Sequence, residues 1–281
     1  MKADLSCLAP AKINLFLHVL GRRADGYHEL QTLFQFVDLT DQLDFHLRQD
    51  AQLNVHCADL AIAPEQNLVL RAARLLQQRC GRTVPGVDIT LTKRIPVGGG
   101  LGGGSSDAAT VLLALNQLWA LGWSRDQLSE LGLLLGADVP VFVQGHAAWA
   151  EGVGELLTAV DPAEGWLLIV QPEVPVSTAQ VFESIDLTGC SSKMTIPCFF
   201  SGGCSGNNDC EPVVRQLFPV VGQLLDWLQQ YGQARLSGTG SCCYLFFSDH
   251  AQAAAVARRV PAPWRGYVVQ SSNVHPMGDN S

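Results

Sequence analysis

From residue 12 to residue 19 apolar and polar positions alternate: Ile13, Leu15, Leu17 and Val19 fall on one side, Lys12, Asn14, Phe16 and His18 on the other. A period of two marks a strand. The glycine-flanked stretch 21–26 (GRRADG) predicts a turn, residues 30–37 a second strand, and 42–47 and 52–57 two more. The period then changes. Leu68, Ala72, Leu75 and Leu76 follow helical spacing, with Asn67 as an N-cap before them and Gly81 closing the segment. Val87, Ile89 and Leu91 return to alternation. Residues 107–121 read as a helix so apolar that it is buried on most sides. Ser124 and Gln127 have the capping-box spacing that opens one more helix, ending near Gly136.

The second half, from about Gly154, predicts a strand over 166–171 and a short helix capped by Ser177. A Gly-, Ser-, Cys- and Asn-rich loop over 188–210 follows, then a helical stretch 212–231 broken at Pro219. Strands over 234–236 and 242–247, a helix over 249–260 and a last strand over 266–270 complete the pattern. This order indicates an α+β arrangement with helices on one face of the sheet. A length of 281 residues suggests two domains.

Composition narrows the class. With 47% hydrophobic and 16% charged residues the chain is globular rather than disordered. Its 26 acidic against 18 basic side chains give a charge of −8, and no basic run exceeds two residues, so a nucleic-acid partner is not expected. The apolar runs are far short of the ~18 residues a bilayer span needs, and Asp4 and Lys12 interrupt any N-terminal signal pattern. Nine cysteines with no C-x-x-C pair argue against a disulfide framework and against structural zinc. A cytoplasmic location is expected.

Candidate chemistry centres on the run 98–104, in which six of seven residues are glycine. Glycines cost backbone entropy, and an ordinary turn does not need so many. Here they let main-chain N–H groups approach a ligand, and the helix that follows adds free N–H groups and the positive end of its dipole. The combination is an anion cradle, most often for phosphate. It is not a P-loop, since no Gly-Lys-Ser/Thr closes it. Gly98, Gly100 and Gly103 match G-x-G-x-x-G, yet no acid follows about 20 residues on, which speaks against a dinucleotide oxidoreductase. Asp138, set in an apolar segment, is either an N-cap or a functional carboxylate. Lys12 and Asn14 lie either on an exposed edge or on an inward face, where the lysine would need an acid. Asp25-Gly-Tyr-His28 presents a ring and an imidazole together, and Ser237-Gly-Thr-Gly-Ser241 is a second glycine turn.

Taken together these segments are familiar. Pro96, Val97, Gly98, Gly99, Gly100, Leu101, Gly102, Gly103, Gly104, Ser105 and Ser106, followed by Asp107-Ala-Ala, resemble the phosphate-binding motif of the GHMP kinases, a superfamily of small-molecule kinases. Pro10-Ala-Lys-Ile-Asn-Leu15, Asp25-Gly-Tyr-His28, Leu135-Gly-Ala-Asp-Val-Pro140 and Ser237-Gly-Thr-Gly-Ser241 narrow the likeness to a branch serving the non-mevalonate isoprenoid pathway. The resemblance implies a two-lobed α+β fold, with an N-terminal ribosomal-protein-S5-domain-2-like lobe over 1–153 and a C-terminal ferredoxin-like lobe over 154–281. It implies ATP and Mg²⁺ as cofactors. The substrate would be a cytidine diphosphate derivative, phosphorylated on a hydroxyl of its methylerythritol part. Homoserine, mevalonate or a sugar is the alternative. Lys12 and Asp138 match the catalytic pair, residues 96–106 would wrap the ATP phosphates, and Ser237 to Ser241 would buttress the site. Asn14, Tyr27 and His28 would bind the cytidine end, with Phe182 as a second stacking face. No residue is assigned as a metal ligand, and a monomer or weak homodimer is expected.

Overall fold

The first two strands organise everything else. β1 (Leu5–Arg22) and β2 (His28–Leu47) pair antiparallel along nearly their whole length, around the turn that Gly26 closes with positive φ. Residues 30–37 and 42–47, which read as separate strands, are one continuous strand. The polar link between them is absorbed by partners: Asp38 accepts the Gln270 N–H at 2.8 Å, and Asp41 is fully buried among donors. The computed structural model describes residues 3–58, 65–185, 191–204 and 206–278.

β3 (Leu53–His56), α1 (Leu68–Arg79) and β4 (Val87–Thr92) follow. Asn67 caps α1 as its sequence indicates, its side chain accepting from Val69 N and Leu70 N. α2 (Gly103–Leu118) begins four residues earlier than its apolar pattern suggests, because Gly102 in the left-handed region starts the helix inside the glycine run. α3 (Arg125–Leu133) carries the complete Ser124–Gln127 capping box. Two sheet elements and a helix have no clear pattern in the sequence: α4 (Val139–Gln144), β5 (Ala148–Gly152) and β6 (Leu156–Ala159). They are too short for a period to show.

The chain continues through β7 (Trp166–Gln171), α5 (Thr178–Glu183), α6 (Ile196–Phe200), α7 (Glu211–Leu217) and α8 (Pro219–Gln229). It closes with β8 (Arg235–Leu236), β9 (Cys243–Phe247), α9 (His250–Ala257) and β10 (Arg265–Ser272). Pro219 breaks the long helical stretch as expected. The strands form one mixed sheet in the order β3-β4-β2-β10-β7-β9-β8, with β1 on the other edge of β2, and with β5 and β6 beside β2. One apolar core lies between β1, β2, β4 and helices α1 to α4; a second lies between β7, β8, β9 and helices α5, α7 and α8. The expected division between lobes at 153/154 falls in the turn of the β5–β6 hairpin, and β10 returns from the second core to pair with β2 at Val37 and Phe36.

The loop expected over 188–210 is not structureless in its described part. It contains α6, and the turn after α6 brings Cys198 and Cys204 into a disulfide, their Cα atoms 5.6 Å apart. The cysteine expectation is corrected at this pair: an odd count and the lack of C-x-x-C leave room for one bridge across a helical turn. Cys7, Cys210, Cys242 and Cys243 are buried free thiols, as small core residues. Among the described residues no helix is long and apolar enough to cross a membrane.

The segment after β10 is tied to α3 and α4. Arg125 donates to Met277 O at 2.8 Å and to Val143 O, and His275 N donates to Gly145 O at 3.0 Å. The His275 ring packs against Phe36 and Phe142, and burial, with Arg125 adding to it, pushes its pKa down to about 3. Below its ordinary value of 6.5 the unfolded chain takes up a proton that the folded chain refuses, so stability falls as pH drops from 6.5 toward 3. Between pH 6.5 and 5 this one group costs about 2 kcal/mol, at about 1.4 kcal/mol per pH unit. Urea unfolding at pH 7 and pH 5 checks it: the acid loss shrinks by that amount in His275→Gln, and an unchanged loss would refute the assignment.

Candidate active site

The glycine run follows β4 and leads into α2, tied to β1 by the Lys12 N–H on Leu101 O at 2.9 Å. Gly98, Gly100 and Gly102 have φ of +69°, +73° and +70°, which other residues adopt only with strain. Space is as restrictive as angle. A Cβ on Gly100 would lie 2.2 Å from the Ser237 carbonyl oxygen, and one on Gly102 would meet Phe142 and the Lys12 stem. The second glycine turn holds the run from behind. Cys242 N donates to Gly99 O at 3.0 Å, Ser241 N to Gly98 O at 3.3 Å and the Ser237 hydroxyl to Gly100 O at 3.0 Å. No side chain caps α2. Its first N–H groups therefore point, with the positive end of the helix, into a cleft of about 500 Å³.

Residues 96–105 line that cleft, while Ser106 is buried behind it. Lys12, Asn14 and Asp138 line it too, with Lys12 directly against the run. Lys12 is only 3% exposed. Its Nζ lies 3.4 Å from Asp138 Oδ2 and donates to Asn14 Oδ1 at 2.6 Å and to Gly100 O at 3.1 Å. The inward-facing reading of Lys12 is the right one, and the acid its burial demands is Asp138. Asp138 sits at the N-cap of α4, with a proline in the first turn, yet its side chain makes no capping bond. The cap position thus aims the carboxylate without consuming it. Asn14 spends both amide ends inside the protein: Oδ1 on Lys12 and Nδ2 on Thr32 Oγ1, 2.8 Å away.

The other expected residues lie further out. His28 stacks on Phe182, with ring centroids 5.2 Å apart and planes at 27°, and burial followed by the Arg22 charge lowers the imidazole pKa. At that separation no third ring fits between the two. Phe182 lines the cleft, whereas Tyr27 stands 66% exposed at the tip of its turn. Sequence reasoning missed a charged cluster at the base of the run, of which Lys93 and Asp107 also line the cleft. Lys93 donates to Asp107 Oδ2 at 2.8 Å and to Asp41, and Asp41 also accepts the Arg94 and Ile95 N–H groups at 2.5 and 2.9 Å. Burial pushes the Asp107 carboxyl up to about 7 against the pull of Lys93. Desolvation alone would lower the Lys93 pKa, but its two acids outweigh it and raise it. Asp41, Lys93 and Asp107 come together only through the β2–β4 register, which local patterning does not reveal. Among the described residues no three His, Cys, Asp or Glu side chains form a metal site.

Two family descriptions match the chain: GHMP kinases N terminal domain over residues 67–146 and GHMP kinases C terminal over residues 200–266. A protein of Pseudomonas paraeruginosa named 4-diphosphocytidyl-2-C-methyl-D-erythritol kinase is 52% identical over 274 residues, covering 98% of this chain and 96% of its own. One of Halorhodospira halophila with the same name is 53% identical over 273 residues, covering 96% and 93%. A crystal structure of 4-(cytidine 5'-diphospho)-2C-methyl-D-erythritol kinase superposes with a TM-score of 0.84 at 33% identity, covering 95% of this chain and 99% of that one. A homoserine kinase from Cytophaga hutchinsonii superposes with a TM-score of 0.71 at 18% identity, a likeness of fold alone. The cradle, the lysine–aspartate pair facing it and these full-length matches agree, and the chain belongs to the GHMP kinases, within their 4-diphosphocytidyl-2-C-methyl-D-erythritol kinase family.

Proposed function

We propose that the protein transfers the γ-phosphoryl group of ATP to the 2-hydroxyl of 4-diphosphocytidyl-2-C-methyl-D-erythritol. The observation that carries this reading is the Lys12–Asp138 pair facing an uncapped helix N-terminus, in a chain half identical to enzymes of that name. The main-chain N–H groups of residues 98–105 hold the β- and γ-phosphates. Mg²⁺ arrives as part of the ATP complex; no all-protein metal site is needed, since Mg²⁺ keeps waters and phosphate oxygens as ligands. The substrate hydroxyl lies between Asp138 and the γ-phosphorus. Its oxygen bonds to phosphorus, the bridging bond to the β-phosphate oxygen breaks, ADP leaves, and the proton passes to the Asp138 carboxylate and on to solvent. Phosphoryl transfer depends mostly on positioning and charge neutralisation, so a modest base suffices.

Lys12 sets a positive charge beside the base and orients the hydroxyl, and Asn14 and Gly100 O fix the direction of its ammonium. The cytidine end is read at the outer wall, by Phe182 and by the exposed ring of Tyr27 with His28 beside it. Asn14 lines the cleft with both amide ends engaged, so its part is to hold Lys12. An assay with ATP, Mg²⁺ and a panel of alcohols tests the reading. Phosphorylation of the cytidine compound at least about a hundredfold faster, in kcat/KM, than of homoserine, mevalonate or galactose is expected, because buried polar groups left unpaired by the wrong substrate discriminate strongly. Turnover of any of the latter but not of the cytidine compound would sink it.

A further inference from the structure

Six glycines in seven positions give the run wide intrinsic backbone freedom, and the phosphate site needs it fixed. Its eleven residues, 96–106, are flanked by two segments that one cluster ties together. On the entry side, Asp41 takes the N–H groups of Arg94 and Ile95, immediately before Pro96. On the exit side, Asp107 stands one position after Ser106 and one helical turn beyond Gly103. Lys93 spans both, donating to Asp41 and to Asp107 Oδ2. It also lies beside the first residue of α2, since a Cβ on Gly103 would be 3.3 Å from Lys93 Nζ.

Stability does not account for this cluster. Buried ion groups are a weak source of it, and here Asp107 Oδ1 is buried with no hydrogen-bond partner among the described residues, itself a cost. What the cluster does fix is the separation of the two ends of the loop, and with it the height of the α2 N–H groups above the cleft. We infer that Lys93 is a positioning residue for the nucleotide: through Asp41 and Asp107 it clamps the base of the glycine loop and so sets the affinity for the ATP phosphates. This rests on the ATP reading above.

Lys93→Met tests it. Because that change strands two buried carboxylates, the double variant Lys93→Met/Asp107→Leu is made alongside; it leaves Asp41 with its two main-chain donors. Folding is checked by circular dichroism, ATP binding by calorimetry, and turnover with both substrates varied. In the folded variants the Kd and KM for ATP rise by about tenfold or more, as expected for losing charge-assisted bonds that preorganise a site. The kcat stays within about threefold and the KM for the cytidine compound does not change, since neither chemistry nor the outer wall is touched. Asp107→Asn keeps an acceptor for Lys93 and holds the KM for ATP within about threefold of wild type. A folded double variant with wild-type ATP affinity overturns the inference. So does a loss of kcat at unchanged KM for ATP, or an Asp107→Asn as damaging as the double variant. A wild-type protein that transfers no phosphoryl group from ATP would instead bring down the proposed function, and this inference with it.

Discussion

Asp138→Ala lowers kcat by about a thousandfold, the middle of the range for a positioned general base, while the protein folds and binds ATP nearly as before. Three features set this profile. The carboxylate is about one-third exposed and makes no capping bond, so α4 loses no hydrogen bond with it. Its side chain makes no hydrogen bond to the glycine run among the described residues, so the nucleotide's contacts persist. Its ion-pair partner among the described residues, Lys12, keeps Asn14 and the Gly100 carbonyl as partners. Lys12→Ala differs in kind: turnover falls at least as far, but a buried stem beside Gly102 and an ammonium over the Phe34 ring are also lost, and thermal stability drops. Since the two act as a unit, the double variant is scarcely slower than the worse single one. Steady-state kinetics on the three proteins decide the matter, and an Asp138→Ala within tenfold of wild type would remove Asp138 from the chemistry.

The second large effect comes from one methyl group. Gly100→Ala places a Cβ 2.2 Å from the Ser237 carbonyl oxygen and 3.0 Å from Gly240 N and O, main-chain atoms that cannot rotate away. Its φ of +73° adds left-handed strain. The two glycine turns must part, breaking the bonds from Ser237 and Cys242 that hold the run. A loss of about 3 kcal/mol or more is expected, in the severe tail of single substitutions, and ATP binding falls below detection in calorimetry. Gly98→Ala is the control. Its φ is similar, +69°, but its nearest neighbour would be Pro175 at 3.8 Å. Only angular strain of about 1–2 kcal/mol remains there. Equal losses in the two variants would mean that close approach to the second turn is not what the glycine at 100 provides.

Local signals carried much of this structure. Asn67 and the Ser124–Gln127 pair mark helix starts by side chains that answer free N–H groups, a requirement that acts within four residues. Lys12 and Asn14 fall on one face of β1 by simple alternation. What reached no further was anything decided by register. The Lys93 cluster depends on β2 lying beside β4, and nothing in residues 90–107 alone announces Asp41. The Cys198–Cys204 bridge depends on the turn after α6, where glycines 202 and 203 double the chain back. Continuity of β2 was hidden for a related reason: Asp38 and Asp41 look like a break until their distant donors are known. Asp138 was legible as either a cap or a base, and the structure shows why the two readings competed, since the residue occupies the cap position without making the cap bond.

The edge of β2 opposite β1 is shared in turn by β5, β10 and β4, whose residues come from widely separated parts of the chain. The middle contact, Val37 and Phe36 with Ser271 and Ser272, joins the beginning of the polypeptide to nearly its end. The first core is complete in sequence well before β10, so the gap at the centre of β2 can close only once residues 271 and 272 are available. Such late, non-local closure makes for slow maturation and exposes an unpaired strand to other nascent chains. A fragment that stops short of β10 keeps the residues of the cradle and the catalytic pair, yet leaves a central strand free to pair with a neighbour, and is expected to aggregate rather than work as a smaller enzyme.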